Sequence, residues 1–179
     1  MAHPIAVSNA GPLITLGKLG QLGLLLKLYD EILISREVYN EVVVNGLRLG
    51  APDAQAVHSL VQQGHIEVVD VGLPSPLPSW THPIDAGEVE TILLAQQQSV
   101  GQVLIDNAHA RKAARQAGLT PRGTIGLLLT AYRRNHLSLP EFELLMHNIK
   151  ARPDLWINER LCDEALAEAR QEAQKRDQT

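Results

Sequence analysis

Four short apolar runs recur along the chain, Ile5–Ser8, Glu31–Ser35, Ile66–Val71 and Val103–Ile105, and each is followed by a stretch of helical periodicity. Strands that alternate with helices pair in parallel, and the helices between them cover both faces of the sheet. A chain of 179 residues is long enough to bury one such sheet and short for two. The alternation therefore predicts an α/β fold built on one mostly parallel central sheet.

The segments between these runs carry their own punctuation. Asn9-Ala-Gly-Pro turns the first strand into a helix with Pro12 in its first turn, and Gly17, Gly20 and Gly23 predict a break near Gly20. Ser35 is an N-cap before a helix whose Val38, Tyr39 and Val42 form one stripe, with Glu41 pointing close to the same side. A helix from Asp53 stops at Gly64. Between Gly72 and Ile84, Pro74, Pro76, Pro78 and Pro83 predict an extended surface segment, either a plain connector or a lid.

Asp85 caps the next helix, Ala108 to Ala117 forms another that stops at Gly118, and Thr120-Pro-Arg is a weak edge strand. An apolar helix from Thr124 to Tyr132, two amphipathic segments (Pro140–Lys150 and Ile157–Ala173) and a frayed tail after Lys175 complete the chain.

Composition excludes several classes of function. Aromatic residues are only 3% of the chain, too few for a base-stacking platform. The single Cys162 cannot form an internal disulfide, and neither a secretory leader nor an apolar run of membrane-spanning length is present, so a cytoplasmic protein is expected. No His pair is spaced for zinc, no Cys-His nucleophile is evident, and no Gly-rich loop ends in Lys. Net charge is −4, but between Asn107 and Pro140 six cations (Arg111, Lys112, Arg115, Arg122, Arg133 and Arg134) stand without an acid. Such a segment is either a solvated face or an attractor for a polyanion.

Asn9 follows the first strand, Glu41 lies in the helix after the second, Glu88 opens the helix after the third, and Asp106 follows the fourth. Parallel strands can bring all four to one edge, where ligands bind in open α/β sheets. Carboxylates gathered there repel one another, and a hard cation such as Mg²⁺ or Mn²⁺ relieves that repulsion and activates water for phosphodiester hydrolysis. Each acid also has an ordinary alternative: Glu41 and Glu88 as helix-surface charges, and Asp106 as the N-cap of its helix.

Val-Ser-Asn9-Ala-Gly-Pro-Leu-Ile, Ile-Ser-Arg-Glu-Val-Tyr-Asn-Glu41-Val, Asp85-Ala-Gly-Glu88-Val-Glu-Thr-Ile, Leu-Ile-Asp106-Asn-Ala-His-Ala-Arg111 and Gly123-Thr-Ile-Gly-Leu-Leu-Leu, in this order, resemble the blocks of a PIN domain and, more narrowly, its VapC-like prokaryotic branch. The resemblance implies a three-layer α/β/α domain over residues 1–135, with residues 136–179 as a C-terminal helical extension packed on it. It further implies a Mg²⁺- or Mn²⁺-dependent ribonuclease, often the toxin of a toxin–antitoxin pair and often a homodimer. The catalytic and metal-holding positions would be Asn9, Glu41, Glu88 and Asp106.

Asn9 departs from the family pattern, which has Asp there, and Ala10 and Gly11 replace a Ser or Thr that often follows. Asparagine offers a carbonyl oxygen without charge. Three readings stay open: a weakened nuclease, one that recruits a further acid such as Asp85 or Glu90, or a noncatalytic PIN-like module that binds RNA or a protein partner. Glu90, two residues from Glu88, would point away from it. Arg111, Lys112 and Arg115 are the expected RNA-phosphate contacts, and Thr124 is either a further phosphate contact or a helix cap.

Overall fold

β-Branched and leucine side chains on short runs make strands buried on both faces, and the computed structural model, which describes residues 4–176, places five of them side by side. They are β1 (Ile5–Ser8), β2 (Glu31–Ser35), β3 (Ile66–Val69), β4 (Gln102–Leu104) and β5 (Thr120–Arg122). Every pair is parallel, and the order is β3-β2-β1-β4-β5. The chain runs outward from β1 to β3 in one direction and continues with β4 and β5 on the other side of β1. The order therefore switches between β1 and β4, where an open parallel sheet leaves a crevice at the carboxyl ends of its strands.

The helices follow the predicted punctuation with small shifts. α1 (Ala10–Lys18) ends before Gly20, whose φ of +67° only glycine adopts at little cost, and α2 (Gly23–Leu28) resumes beyond it. α3 (Arg36–Tyr39) begins at Ser35, whose Oγ accepts the Val38 N–H, and runs through a π-helical stretch, Asn40–Asn45, into α4 (Gly46–Arg48). α5 (Pro52–Gln62), α6 (Ala86–Gln97) and α7 (Ala108–Gln116) complete the set between strands. β3 stops at Val69, two residues short of the expected end, and Ile105 lies just past β4, although its N–H still donates to the Arg122 carbonyl at 2.9 Å.

On one face of the sheet, Val7, Leu33, Val103 and Ile105 pack with Ile92, Leu94 and Ala95 of α6 and with Ala110, Ala113 and Ala114 of α7. Elsewhere α1 packs closely on α5, with Gly17 against Asp53. The arrangement is the expected three-layer α/β/α fold.

The proline-rich segment is tied down more firmly than proline density alone predicts. Trp80 and Ile84 pack against the α6–α7 side of the core, Ser79–Thr81 forms a 3₁₀ turn with Thr81 buried, and the Gln97 side-chain amide donates to the Gly72 carbonyl at 2.7 Å.

The chain divides into two compact units, Met1–Gly123 and Thr124–Thr179. The second contains α8 (Thr124–Arg133), α9 (Leu139–Ala151) and α10 (Glu159–Arg176). Ser138 and Glu141 form a capping box at the start of α9. The Tyr132 hydroxyl donates to the Ala169 carbonyl at 3.2 Å, and Arg133 is clasped by Glu168 and Glu172. The expected frayed tail lies outside the described residues, except for Arg176, which belongs to α10. Among the described residues, no helix is long and apolar enough to cross a membrane.

Candidate active-site cleft

Asn9 follows β1 at the switch point. Its N–H donates to the Leu104 carbonyl at 2.9 Å, which ties the exit of β1 to the end of β4. The residue occupies the N-cap position of α1, yet its side chain makes no capping bond. Its Oδ1 is buried and has no hydrogen-bond partner in the protein. A buried amide oxygen left in this state costs on the order of 1–3 kcal/mol, so a ligand that engaged it would recover that energy.

The Asn9 oxygen does not stand alone. A Cβ on Gly87 would meet Glu41 Oε2 at 3.4 Å, Asp85 Oδ1 at 3.5 Å and Asn9 Oδ1 at 3.6 Å, so three oxygens from three separate segments converge on one glycine. Glu41 is delivered by the π-helical stretch after β2. Such stretches occur often at functional sites, because the wider turn shifts the side chains that follow it. Asp85 and Glu88 form the capping box of α6: Asp85 Oδ1 accepts the Glu88 N–H at 2.8 Å, and Glu88 Oε2 accepts the Asp85 N–H at 3.2 Å. Glu88 is 3% exposed, so its carboxylate is buried against the start of α6.

The charges feel one another. Loss of hydration raises the Glu41 pKa, the negative charge of Asp85 adds to this, and that of Glu37 adds less; the residue as a whole is solvent-exposed, so the desolvation is local to its carboxyl end. Burial likewise raises the Glu88 pKa, followed by repulsion from Asp85, while the hydrogen bond from the Asp85 amide pulls it down and Glu41 pushes it up again. Glu90 is turned elsewhere, its Oε2 accepting the Glu37 N–H at 3.2 Å, in keeping with its expected direction.

Asp106 lies on the other side of the switch point. Its Oδ2 is 3.4 Å from where a Cβ on Gly11 would stand, and its Oδ1 is 3.1 Å from the corresponding point on Gly123. Arg111 Nη1 is 3.0 Å from that second point, so the guanidinium and the Asp106 carboxylate share the same corner. Asn107, not Asp106, is the N-cap of α7.

The remaining basic residues separate. Lys112 lines a groove of about 480 Å³ together with Trp80, His82 and His109, while Arg115 is exposed in the last turn of α7. Thr124 is fully buried as the first residue of α8. Arg133 is engaged by two acids of α10, so the run of six cations is not one uniformly available basic surface.

The donor set suits a hard cation. An orphaned amide oxygen and two carboxylate oxygens face one point, and the raised pKa values mark the cost of leaving that charge uncompensated. Among the described residues no three His, Cys, Asp or Glu side chains are arranged to hold an ion by themselves. A site made here thus depends on the Asn9 carbonyl and on waters, which Mg²⁺ keeps readily.

Fold and cleft together define a parallel α/β domain with an acidic mouth at its switch point. A PIN-domain family model, DUF3368, matches residues 5–171, and the chain belongs to that family. PIN domains are a nuclease-type fold that generally uses divalent metal ions. No curated protein matches the chain.

Proposed function

We propose that this protein is a divalent-cation-dependent endoribonuclease of the VapC-like toxin type, weakened by asparagine at the first acidic position. The observation that carries the reading is the buried, unpartnered Asn9 Oδ1 facing the same point as Glu41 and Asp85. Glu41, Glu88 and Asp106 are the acids that would hold Mg²⁺ or Mn²⁺, with the Asn9 carbonyl as a neutral donor. When bound, the cation would supply charge neutralisation at the phosphodiester and acidification of water.

The chain's own residues supply the rest. The Asn9 amide fixes the switch point against Leu104, the capping box holds Asp85 and Glu88 in register, and Arg111 presents its guanidinium beside Asp106, where a phosphate of a single strand would lie. Single-stranded RNA is the proposed substrate. A cognate antitoxin and a homodimer are further parts of this reading, the first tested by co-purification with the product of an adjacent gene and the second by sedimentation at micromolar concentration. The site of action proposed is the cytoplasm.

The test is cleavage of a mixed RNA pool with Mn²⁺, by the natural protein and by Asp106→Asn. Cleavage abolished in the variant supports the enzyme. A natural protein that never cuts, beside an Asn9→Asp variant that does, supports the second reading, a noncatalytic PIN-like module binding RNA or protein. The neutral Asn9 favours that second reading.

A further inference from the structure

We propose that Asp85 is a cation ligand of this cleft and supplies the negative charge that Asn9 lacks, with Gly87 keeping the space between Asn9, Glu41 and Asp85 open. The inference rests on the cation-dependent reading above and adds to it one residue and one requirement for empty space. Asp85 Oδ1, Glu41 Oε2 and Asn9 Oδ1 all lie within 3.6 Å of the point where a methyl group on Gly87 would stand. Asn9 is 8% exposed, and its oxygen is aimed into this space without a protein partner, which an acidic surface patch held together by its own hydrogen bonds would not require.

Asp85 Oδ1 already accepts the Glu88 N–H at 2.8 Å, an arrangement that fixes the orientation of the carboxylate toward the space beside Gly87. Glycine at position 87 then has a definite use. A methyl there would touch all three oxygens at van der Waals distance and fill the room that a cation and its waters need.

The experiment is calorimetric titration of Mn²⁺ into the full chain and four variants: Asp85→Asn, Gly87→Ala, Glu41→Gln, and Asp85→Asn combined with Asn9→Asp. Asparagine remains a good N-cap, so Asp85→Asn keeps the start of α6 and removes only the charge. Expected are binding weakened about tenfold or more by Asp85→Asn and by Gly87→Ala, and recovery of affinity in the double variant. Thermal unfolding without metal, checked in parallel, should show no loss of stability in Asp85→Asn.

Binding within about twofold of the natural protein in Asp85→Asn, with loss in Glu41→Gln, overturns the role of Asp85 and leaves the cation-dependent reading standing. No Mn²⁺ binding by the natural protein overturns both. Failure of Asn9→Asp to restore binding overturns the exchange of charge between positions 9 and 85.

Discussion

The Asn107 Oδ1 accepts the backbone N–H groups of His109 at 2.8 Å and Ala110 at 3.3 Å, while the carboxylate of the preceding Asp106 turns to the corner between Gly11 and Gly123. Adjacent residues thus divide two tasks, one closing the helix and the other facing the cleft. Asn107→Ala should cost about 1 kcal/mol and lower the melting temperature by roughly 2–4 °C. Calorimetry checks this, and a variant as stable as the natural protein would show the cap to be idle.

Glu41 and Glu88 both have raised pKa values, and the sign of the consequence follows. A carboxyl whose folded pKa is raised binds more protons folded than unfolded, so the metal-free protein loses stability as pH rises from the ordinary glutamate range through the elevated folded values. Glu41→Gln removes the desolvated charge and, with it, the repulsion from Asp85. After allowance for solvent screening, its melting temperature in chelator should exceed that of the natural protein by about 1–2 °C near pH 7.5 and by nothing near pH 4. A gain of equal size at both pH values would contradict the electrostatic account.

Gly17 packs where α1 crosses α5, and a Cβ there would stand 2.7 Å from Asp53 Cβ and 3.2 Å from its Cα. Alanine is the better helix former by about 1 kcal/mol, yet overpacking against a backbone costs about 1–3 kcal/mol. Gly17→Ala should therefore destabilise the fold on balance. Urea unfolding measures the midpoint, and an upward shift would mean that the two helices separate freely.

Arg111→Ala should weaken RNA binding and reduce the salt dependence of log K by about one unit of slope, since one phosphate contact is removed. Fluorescence anisotropy across a salt series reads both quantities. An unchanged slope with reduced affinity would place Arg111 in support of Asp106 and not on the RNA.

In α8, Arg133 is held by Glu172 and Glu168, and the hydrogen bonds from its guanidinium, with its charge adding less, lower the Glu172 pKa. The contribution of this exposed network is present above the ordinary glutamate pKa and lost as pH falls through the depressed one. Arg133→Ala should lower the melting temperature by about 1–3 °C in dilute buffer and by less in high salt. A salt-independent loss would point to packing of the arginine stem instead.

The strands, the break at Gly20, the Asp85 cap and the edge position of Thr120–Arg122 are legible in the sequence because apolar period, glycine and capping residues act locally. The convergence on Gly87 is not. It depends on a π-helical turn at Asn40–Asn45 that no side-chain pattern announces, and on a glycine whose neighbours come from residues 9, 41 and 85. Asp85 was visible both as a cap and as a possible recruit, but only the tertiary fold sets its oxygen beside the orphaned Asn9 carbonyl. Similarly, the charge run through Arg133 says nothing of the acids on α10 that take it up.

Pro121 gives the sheet margin a particular chemistry. Thr120 N–H and the Arg122 carbonyl both face inward, to Gly101 and Ile105, so residue 121 is the one whose backbone faces outward, and proline has no N–H to offer there. A further strand arriving along β5 would find a carbonyl and no donor. Strand swapping, fibrillar stacking or a partner's strand would each lose a ladder hydrogen bond at that ring, so growth of the sheet is disfavoured across this margin.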